Sequence, residues 1–321
     1  MTLPNKHNFC GGAFPDWLEV NLLKQCNAKC SWCIEKIGYH PEKVVDWLEI
    51  CKKAIQTDKK NIILLGGEPT LHKQLKNIVH TLSAEDRNVY ITTNGSKLTP
   101  DFVESNLNGI KGANISIHDY DINNNYRITG LILNLYNLKD AINKLHKMDV
   151  SVRFNCNCIK DYVCSEDTVK RYIQFAQNMG ADEVRFAELK QDENNFINLA
   201  KIFNYQYGLN DDPFIEGCNL NTTINNMPVN FRQMCGLQTK CRPKPINPEQ
   251  AKKQVLYYNG IIYDGWQTIK EAPVTDKELM DLLMDVADAK ITPNDAKNKI
   301  KKALEDKEKE NNDTDSGGCR Y

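Results

Sequence analysis

Three cysteines near the start of the chain have the residue type and spacing best suited to chemistry. Cys26, Cys30 and Cys33 are separated by three and then two residues. Thiolates are soft ligands that bind zinc and iron–sulfur clusters. Gaps of this size let one loop direct three sulfurs to three corners of an iron–sulfur cube. Because no fourth ligand is nearby, the spacing indicates a [4Fe–4S] cluster with one open iron, an incomplete zinc site or a chance grouping.

Cysteine is abundant in the chain, which holds twelve of these residues in 321. The first residues lack the long apolar core of a secretory signal, and no run of about 18 apolar residues would span a membrane. These features predict a cytoplasmic protein with no membrane partner. Thiols in a reducing compartment seldom form structural disulfides and more often bind metal or take part in catalysis.

The charge balance bears on the partners of the protein. The chain has 41 basic and 42 acidic residues, for a formal net charge of −1. Binding to a polynucleotide depends on clustered lysine and arginine residues that neutralise phosphates. A near-neutral chain therefore disfavours a nucleic-acid partner, although the totals leave room for a local basic patch. A small-molecule or peptide substrate is the expected partner.

The elements that must position these cysteines alternate along the first two thirds of the chain. The patterns of apolar residues predict strands at 17–23, 61–67, 89–95, 112–118, 150–157 and 182–189, and helices at 41–55, 71–82, 131–148 and 166–180. Strand–helix alternation predicts an α/β fold with a parallel sheet and right-handed crossovers. The periodicity alone is compatible with both an open doubly wound sheet and a partial barrel.

The pattern changes after residue 210. Residues 211–250 are rich in Asn, Pro, Cys and Gly, and a hairpin with a type I′ turn is predicted at Asn259-Gly260. The end of the chain is predicted to be helical at 276–291 and 292–305. The predicted parts are an N-terminal segment (1–15), a core domain (16–210), a cysteine-containing extension (211–272) and a helical C-terminal region with a flexible tail (273–321).

Two glycines and a glutamate follow the second predicted strand. Gly66 and Gly67 permit backbone groups to approach a ligand closely, and Glu68 can accept hydrogen bonds from a bound ammonium group. Alternatively, the glycines only turn a strand into a helix. Chemistry in parallel α/β folds is placed at the C-terminal ends of strands, where this motif lies.

Other candidates lie at further strand ends and beside the cysteines. Ser116 and His118 point to the same side of the fourth predicted strand, although a single strand-end histidine is more often structural than functional. Asn94 either contributes to a site or only makes the turn that Gly95 indicates. Trp32 is either a core residue or an aromatic wall beside a bound ring.

In combination, these residues resemble the radical S-adenosylmethionine (SAM) enzymes. The resemblance rests first on Cys26-x3-Cys30-x2-Cys33, with Trp32 before the last cysteine, placed after the first strand. The later motifs, in strand order, are GGEP (66–69), TTNG (92–95), SIH (116–118), RFNCN (153–157) and VRFAEL (184–189). The resemblance covers about residues 15–205.

The resemblance implies a fold, two cofactors and a reaction. The fold is a partial (β/α)6 TIM-like barrel with a small C-terminal auxiliary-cluster region and a helical tail. SAM chelates the open iron of the [4Fe–4S] cluster, a flavodoxin- or ferredoxin-like reductant supplies one electron, and a 5′-deoxyadenosyl radical removes a substrate hydrogen atom. The implied SAM-binding residues are Trp32, Gly66, Gly67, Glu68, Pro69, Thr93, Asn94, Ser116, His118 and Asn155.

A second group of cysteines precedes the predicted C-terminal hairpin. Cys218, Cys235 and Cys241 are similar in arrangement to the SPASM or twitch extensions of some radical SAM enzymes, which carry an auxiliary iron–sulfur cluster. The full SPASM set is absent, and Trp266 stands near where relatives often carry a cysteine. Cys319 in the tail, a substrate atom or no group at all supplies the fourth ligand. The alternative is that these are buried free thiols.

Two other sets of residues have no assigned role. Cys156 and Cys158 share one face of the fifth predicted strand, and either pack in the core or, if that face is the barrel interior, donate a hydrogen atom or touch substrate. The terminal residues 317–321, GGCRY, are either a disordered end or a lid over the active site.

Three functions compete at this stage. The first is a radical SAM enzyme that modifies a peptide or a small natural-product-like substrate, although only about 16 residues precede the first strand, too few for a leader-binding domain. The second is the same chemistry on a nucleoside, a nucleotide or a nucleic-acid base. The third is a non-catalytic iron–sulfur electron carrier, which the missing fourth local cysteine disfavours because carriers normally ligate every iron.

Overall fold

The computed structural model describes residues 16–33, 35, 40–189, 195–199, 202, 219–232, 254–266, 292 and 294. The strands are β1 (Trp17–Asn21), β2 (Asn61–Leu65), β3 (Asn88–Thr93), β4 (Ile110–Ser116), β5 (Ser151–Asn157), β6 (Glu183–Ala187), β7 (Asn219–Ile224), β8 (Met227–Arg232), β9 (Gln254–Tyr257) and β10 (Ile262–Asp264). The helices are α1 (Trp47–Gln56), α2 (Leu75–Ala84), α3 (Pro100–Asn106), α4 (Ile122–Thr129), α5 (Leu135–Lys147) and α6 (Glu166–Met179).

All ten described strands belong to one sheet, in the order β10-β9-β1-β2-β3-β4-β5-β6-β8-β7. Strands β1 to β6 are parallel neighbours in chain order. A doubly wound sheet reverses its strand order at a switch point, and these six strands have no reversal. Right-handed crossovers then leave the helices on one side of the sheet, as in a partial barrel, and the sheet of described strands does not close on itself.

Hairpins extend both edges of the six-stranded sheet. Strand β8 pairs in parallel with β6 and carries β7 antiparallel beside it. At the other edge, β9 pairs in parallel with β1 and carries β10. The first of these hairpins was not predicted from the sequence. Its strand β7 is rich in Asn and Thr, although Met227, Val229 and Phe231 alternate along β8 and were an available signal.

The position of the type I′ turn was predicted wrongly. At Asn225-Asn226 both residues have positive φ, 50° and 62°, and they join β7 and β8 directly, as a type I′ turn requires. In the β9–β10 hairpin only Gly260 has a positive φ, 79°. There the side chain of Asn259 instead accepts a hydrogen bond from the backbone of Ile261, at 3.0 Å, in a longer connection.

The predicted starts of three helices need correction, and two of these helices, α2 and α5, each begin four residues later than predicted. Helix α1 begins at Trp47, six residues later than the predicted start, because the extended Asp46 caps it and Val45 donates a backbone hydrogen bond to Tyr258. The short helices α3 and α4 were not predicted. The predicted helices at 276–291 and 292–305 fall essentially outside the described residues, and the domain boundaries stay a prediction.

The two faces of the sheet differ in chemistry. Alternate residues such as Ile91, Ile115 and Phe154 join a large apolar core with the helices. The opposite surface, which we call the inner face, carries polar side chains at many of the intervening positions, although β2 places Ile63 and Leu65 there. Its main polar residues are Glu19, Asn21, Thr92, Asn114, Ser116, Arg153, Asn155, Glu183, Arg185 and Asn230. Among the described helices, none has the length and apolar character needed to cross a bilayer.

Candidate functional site

The three clustered cysteines lie on a loop that leaves the C-terminal end of β1. Cys26 is exposed, and Cys30 and Cys33 are partly exposed. The backbone N–H of Ala28 donates to the Cys26 sulfur at 3.3 Å, and the N–H of Cys33 donates to the Cys30 carbonyl at 3.4 Å. The thiols are therefore presented at the end of the sheet where parallel α/β folds carry their chemistry.

The glycine pair after β2 supports the start of this loop. The N–H of Gly67 donates to the Leu23 carbonyl at 2.7 Å, and the N–H of Glu68 donates to the Gln25 carbonyl at 2.8 Å. A Cβ atom on Gly67 would lie 2.1 Å from the Gln25 carbonyl oxygen. The close approach expected at these glycines is thus made by the cysteine loop, and their contact with SAM stays a prediction.

Gly66 is also closely packed, in this case against the end of β1 from which the cysteine loop begins. Its φ is 132°, and a Cβ there would lie 2.6 Å from the side-chain oxygen of Asn21 at the end of β1. Both the backbone conformation and the space therefore demand glycine. Pro69 follows in a short 3-10 turn, Pro69–Leu71, that is capped by the Glu68 side chain.

Glu68 joins two of the strand-end motifs through its buried carboxylate, which is 1% exposed. One oxygen accepts hydrogen bonds from the Thr70 backbone at 3.0 Å and from the hydroxyls of Thr70 and Thr93 at 2.6 Å each. The other accepts from the Asn94 backbone N–H at 2.7 Å. That second oxygen has a further lone pair, so a bond to an ammonium group, as predicted from the sequence, is compatible with this network.

Asn94 does more than form a turn, because its side chain reaches the cysteine loop. Its amide nitrogen donates to the side chain of Asn27 at 2.8 Å and lies 4.0 Å from the Cys26 sulfur. Asn27 in turn donates to the Ser96 hydroxyl at 2.8 Å. Asn27 and Ser96 were missed in the sequence, although the position of Asn27 between two cysteines was an available signal.

Helix α4 supplies a third support for the loop. The N–H of Lys29 donates to the Thr129 carbonyl at 2.7 Å, and a Cβ on Gly130 would lie 3.4 Å from the Lys29 side chain. Gly130 ends α4 in the left-handed conformation, with φ of 71°. The loop is thus held between the β2, β3 and β4 ends of the sheet.

Glu35, two residues after Cys33, contacts a group of residues that the sequence did not single out. Asn21 donates from its amide to the Glu35 carboxylate at 3.0 Å. The His40 ring contacts the Glu35 backbone carbonyl, and its other nitrogen lies 3.7 Å from the carboxylate. Burial raises the pKa of Glu35 to about 7. A buried Asn at the end of β1 was the available signal.

Trp32 and His118 meet at the opposite side of the loop. Their rings are 5.4 Å apart in a T-shaped arrangement, and Trp32 also packs against the small apolar cluster that contains Ile128. The backbone of Asn157 donates to Nδ1 of His118 at 3.1 Å, and burial lowers the pKa of that imidazole to about 4. His118 is therefore neutral near pH 7, with its Nε2 carrying the proton.

Ser116 and Asn155 are direct neighbours in the register of β4 and β5. Both lie on the inner face and are partly exposed, and the Asn155 side chain accepts a hydrogen bond from Arg153 at 3.1 Å. The structure thus brings together, around the C-terminal ends of β1 to β5, every residue for which the sequence predicted SAM binding.

Cys156 and Cys158 lie on the other side of the sheet. Both are fully buried within the apolar core, and the Cys156 thiol donates towards the His118 carbonyl at 3.5 Å. Burial raises the pKa of the Cys156 thiol well above its ordinary value. Their position on the helix side favours packing over a hydrogen-atom donor. The cysteines predicted for an auxiliary cluster, Cys218, Cys235, Cys241 and Cys319, lie outside the described residues.

The donor set of the loop is compatible with an iron–sulfur cluster. Three soft thiols on one loop are suitable ligands for iron–sulfide corners. Within the described residues, no three Cys, His, Asp or Glu side chains are arranged to hold one metal ion.

Comparison with known proteins identifies the families and folds that share these features. A protein-family model described as the Radical SAM superfamily matches residues 20–186, a little over half of the chain. A nucleotide dehydratase of Lacinutrix mariniflava, named as S-adenosylmethionine-dependent, is 26% identical over 59% of this chain. A GTP 3′,8-cyclase of Campylobacter jejuni is 26% identical over 64% of this chain and 76% of the cyclase. The chain spans 42% of the dehydratase.

Solved structures extend the likeness to the fold. The Streptococcus suis protein SuiB bound to its precursor peptide SuiA has a TM-score of 0.57 at 17% identity, covering 79% of this chain and 60% of SuiB. SuiB bound to S-adenosylmethionine gives the same TM-score at 20% identity, covering 82% of this chain and 62% of SuiB. Identities this low establish the shared fold alone, and the sheet order described above agrees with it.

Proposed function

Since the chain belongs to the radical SAM superfamily, we propose that it reductively cleaves SAM and uses the resulting 5′-deoxyadenosyl radical to abstract a hydrogen atom from a substrate. Enzymes of this superfamily use a [4Fe–4S] cluster, SAM and an external source of electrons. The single observation that carries the proposal is the three-thiol loop, fixed by the GGEP and TTNG motifs at the C-terminal ends of the strands. These contacts give the three cysteines a defined position at the end of the sheet.

In this proposal each part of the site has a separate task. Cys26, Cys30 and Cys33 hold three irons, and their number leaves the fourth corner for the amino and carboxylate groups of SAM. The hydrogen bonds of Gly67, Glu68 and Asn27 to neighbouring segments hold the loop in place. A site whose ligands are oriented by a hydrogen-bonded surrounding binds metal more tightly than a free loop.

The remaining predicted residues are proposed to bind SAM itself. Glu68 and the backbone near Gly66, Gly67 and Pro69 face the methionyl end, while Thr93 and Asn94 link them to the loop. Ser116, Asn155 and His118 lie further along the same end of the sheet, where the ribose and adenine would extend. Trp32 then lies beside the adenine, and its T-shaped contact with the neutral His118 holds the indole in place.

Two substrate classes have support of different kinds. A peptide or small natural-product-like substrate is supported by the fold shared with SuiB, which was solved with a precursor peptide. A nucleotide is supported by the names of the curated relatives, a nucleotide dehydratase and GTP cyclases. The electron-carrier alternative has lost its support, because the superfamily and its named relatives are enzymes.

The proposal is tested by SAM cleavage in the absence of oxygen. Protein reconstituted anaerobically with iron and sulfide is expected to convert SAM to 5′-deoxyadenosine and methionine when dithionite is added, measured by liquid chromatography and mass spectrometry. A flavodoxin with its reductase should replace dithionite if the physiological donor is of that type. Zinc in place of iron, or intact SAM after reduction, would overturn the proposal.

We also propose an auxiliary iron–sulfur cluster held by Cys218, Cys235 and Cys241. The support from the described residues is the register of the β7–β8 hairpin, in which Asn219 pairs with Arg232. Cys218 directly precedes Asn219, and Cys235 follows Arg232 by three residues. The chain therefore permits both cysteines to ligate the same cluster. Cys319 is a candidate fourth ligand.

Iron and sulfide analysis distinguishes one cluster from two. We expect about eight irons per chain in the reconstituted protein, because each [4Fe–4S] cluster contributes four. The double substitution Cys218→Ala with Cys235→Ala should reduce the count to about four while the SAM-responsive electron paramagnetic resonance signal remains. About four irons in the unchanged protein would contradict the auxiliary cluster and leave the first site unaffected.

The proposed reaction requires an electron donor. We propose an external flavodoxin- or ferredoxin-like reductant as the partner, since the chain must receive one electron for each SAM cleaved. The cytoplasmic location predicted from the sequence stays a prediction.

A further inference from the structure

The segment that joins α4 to α5 exposes large apolar side chains next to the cysteine loop. Ile132 is 84% exposed and Tyr136 is 86% exposed, and Tyr126 near the end of α4 is half exposed. These are three of the six large hydrophobic side chains that are exposed in the described part of the chain. Exposed apolar side chains that are grouped on a surface often mark a binding site for another protein.

The exposure of Ile132 is fixed by its neighbours. Leu131 and Leu133, on either side of it, are buried in the apolar core, so the residue between them is held outwards. Tyr136 lies in the first turn of α5, where its backbone N–H donates to the capping side chain of Asn134 at 3.1 Å. The apolar side chains are therefore presented by an anchored backbone.

The start of this segment packs directly on the cysteine loop. The N–H of Lys29, which lies between Cys26 and Cys30, donates to the Thr129 carbonyl at 2.7 Å. A Cβ on Gly130 would lie 3.4 Å from the Lys29 side chain. The exposed apolar side chains therefore border the loop that would hold the cluster.

The turn after β3 contacts both the loop and α5. The Asn27 amide on the loop donates to the Ser96 hydroxyl in this turn at 2.8 Å. In the same turn, a Cβ on Gly95 would lie 3.5 Å from the side chain of Leu138 in α5. The cysteine loop, this turn and the α4–α5 segment thus form one continuous surface.

The three parts of this surface carry positive charge only. Their charged residues are all basic, and they are Lys29 within 26–33, Lys97 within 94–99 and Arg127 within 122–138. All three side chains are exposed, and Arg127 also donates to the Asn124 side chain at 3.1 Å. Because the whole chain has a formal net charge of −1, this local excess favours an acidic partner at this surface.

The nearest acids have other contacts or lie at the edges of the surface. Glu68 and Asp119 are buried, at 1% and 2% exposure. Asp121 caps the other end of α4, where it accepts a hydrogen bond from the Asn123 backbone at 2.8 Å. The remaining acids just beyond the three segments are Glu35, Asp101 and Asp140. The middle of the surface therefore keeps its positive charge.

We infer that this surface, formed by Lys29, Lys97, Arg127, Ile132 and Tyr136 and called the docking face, binds an acidic one-electron carrier protein that reduces the cluster. One electron passes from the carrier, which is oxidised, to the cluster, which is reduced, and a reductase with NADPH restores the carrier. Electron transfer requires that the two redox centres come close together, and the docking face borders the cluster loop. The inference rests on the proposed function, because it assigns the surface that binds its electron donor.

Two other occupants fit the docking face less well. A second copy of the chain would pair the face with itself in a two-fold dimer, so its positive charges would meet like charges. A nucleic acid would need more basic residues than these three to bind appreciably at physiological salt. Complexes of electron carriers are small and transient, which agrees with a face of few charges and few apolar side chains.

Direct contact is tested on the reconstituted holoenzyme with SAM, under anaerobic conditions and without turnover. A flavodoxin is the probe, and a carbodiimide couples its carboxylates to lysine amines in contact with them. Mass spectrometry should map the cross-links to Lys29 and Lys97, and high salt should suppress them because exposed charges are screened. Cross-links that fall mainly on Lys52 and Lys76, which are exposed on α1 and α2, would overturn the inference.

A charge-reversed variant tests whether electrons enter through this face. Lys97→Glu with Arg127→Glu should raise the KM for reduced flavodoxin by about tenfold or more, because electrostatic steering changes association rates by at least that factor. The rate of 5′-deoxyadenosine formation with dithionite should stay unchanged. The matched control, Lys52→Glu with Lys76→Glu, has the same net charge and should keep the KM of the unchanged protein. An unchanged KM in the first variant would contradict the docking face.

A second variant removes the apolar contacts and leaves the charges. Ile132→Ser with Tyr136→Ser should raise the KM for flavodoxin by about fivefold or more. Its control is Val44→Ser with Leu48→Ser, which removes two other exposed apolar side chains at the start of α1 and should have no effect. If the rate with dithionite falls in parallel, the segment supports the cluster site instead of a partner, and the inference is wrong.

Two further outcomes would assign the face to a different occupant. Analytical ultracentrifugation could show a dimer that the Ile132→Ser, Tyr136→Ser variant dissociates, which would make the face an interface between copies. A single-stranded RNA that binds through Arg127 and that flavodoxin does not displace would make it a nucleic-acid site. Either result would contradict an electron carrier at this face.

The inference and the proposed function fail separately. If SAM is not cleaved even with dithionite, the proposed reaction is wrong. If dithionite drives cleavage but neither reduced flavodoxin nor reduced ferredoxin does so, the docking face is wrong and the radical SAM reaction stands.

Discussion

Replacement of Cys30 by alanine is expected to abolish SAM cleavage. Three thiolates hold the proposed cluster, and Cys30 lies between the other two on the loop, so the variant retains only two ligands. Loss of an outer partner of a metal ligand already costs about 10–100-fold in affinity or activity, and loss of a ligand should cost more than about 100-fold. The measurement is 5′-deoxyadenosine formed per chain after anaerobic reconstitution and reduction.

A matched control distinguishes the loss of a loop cysteine from the loss of any partly exposed thiol. Cys164 is also partly exposed but lies in the segment after β5 and is not one of the three loop cysteines, so Cys164→Ala should keep both its iron and its SAM cleavage. Circular dichroism should show the same secondary structure for both variants. If Cys30→Ala still forms 5′-deoxyadenosine at the rate of the unchanged protein, the three-thiol site is not the catalytic centre.

Replacement of Gly67 by alanine is expected to prevent cluster assembly although no ligand is removed. The added Cβ would lie 2.1 Å from the Gln25 carbonyl oxygen and 2.5 Å from that of Lys24. Both atoms belong to backbone, so the loop must shift, and its hydrogen bonds from Gly67 and Glu68 would break. Overpacking of this kind destabilises a folded structure by about 1–3 kcal/mol. Here the strain would displace the loop that must present the three thiols.

Iron content and thermal stability together test this second expectation. Gly67→Ala should retain less than about a tenth of the iron, by the outer-shell effect on metal affinity, with the strands intact by circular dichroism. Gly265→Ala is the control, because no atom lies within 4 Å of the position of its Cβ and only its φ of 91° resists the change. It should lose about 1–2 kcal/mol of stability and keep its iron. Full iron content in Gly67→Ala would contradict the proposed support of the loop.

Much of the sheet was predictable because it depends on local patterns. Apolar runs between amphipathic segments indicated β1 to β6 and most of their helices, and strand–helix alternation indicated parallel pairing. The resemblance to the radical SAM enzymes identified the family and the partial barrel, and both are confirmed. The start of α1 was misplaced, because Asp46 and the contact of Val45 with Tyr258 decide it.

The candidate site was predictable as a set of motifs but not as an arrangement. Glycine at position 67 was expected to admit a ligand, yet its lack of a side chain first admits the cysteine loop. Asn94 was assigned either to a turn or to a site. Its side-chain oxygen accepts a hydrogen bond from the Ser96 backbone within the turn, and its amide nitrogen donates to Asn27 in the cysteine loop, while its contact with SAM stays a prediction. Asn27 and Glu35 have no distinguishing spacing, so only the positions of their neighbours show what they do.

By itself, the sequence determined the three-thiol loop, its place after the first strand and the order of the motifs that follow, because spacing and alternation are local properties of a chain. Only the tertiary structure decided how the edges of the sheet are covered and what the inner face offers to a ligand. The pairing of β1 with β9 joins Leu18 to Gln254, and the register of β4 with β5 places Asn114 beside Arg153 on the inner face. Such long-range pairings are set by which surfaces can be buried together, and no local pattern of residues records them.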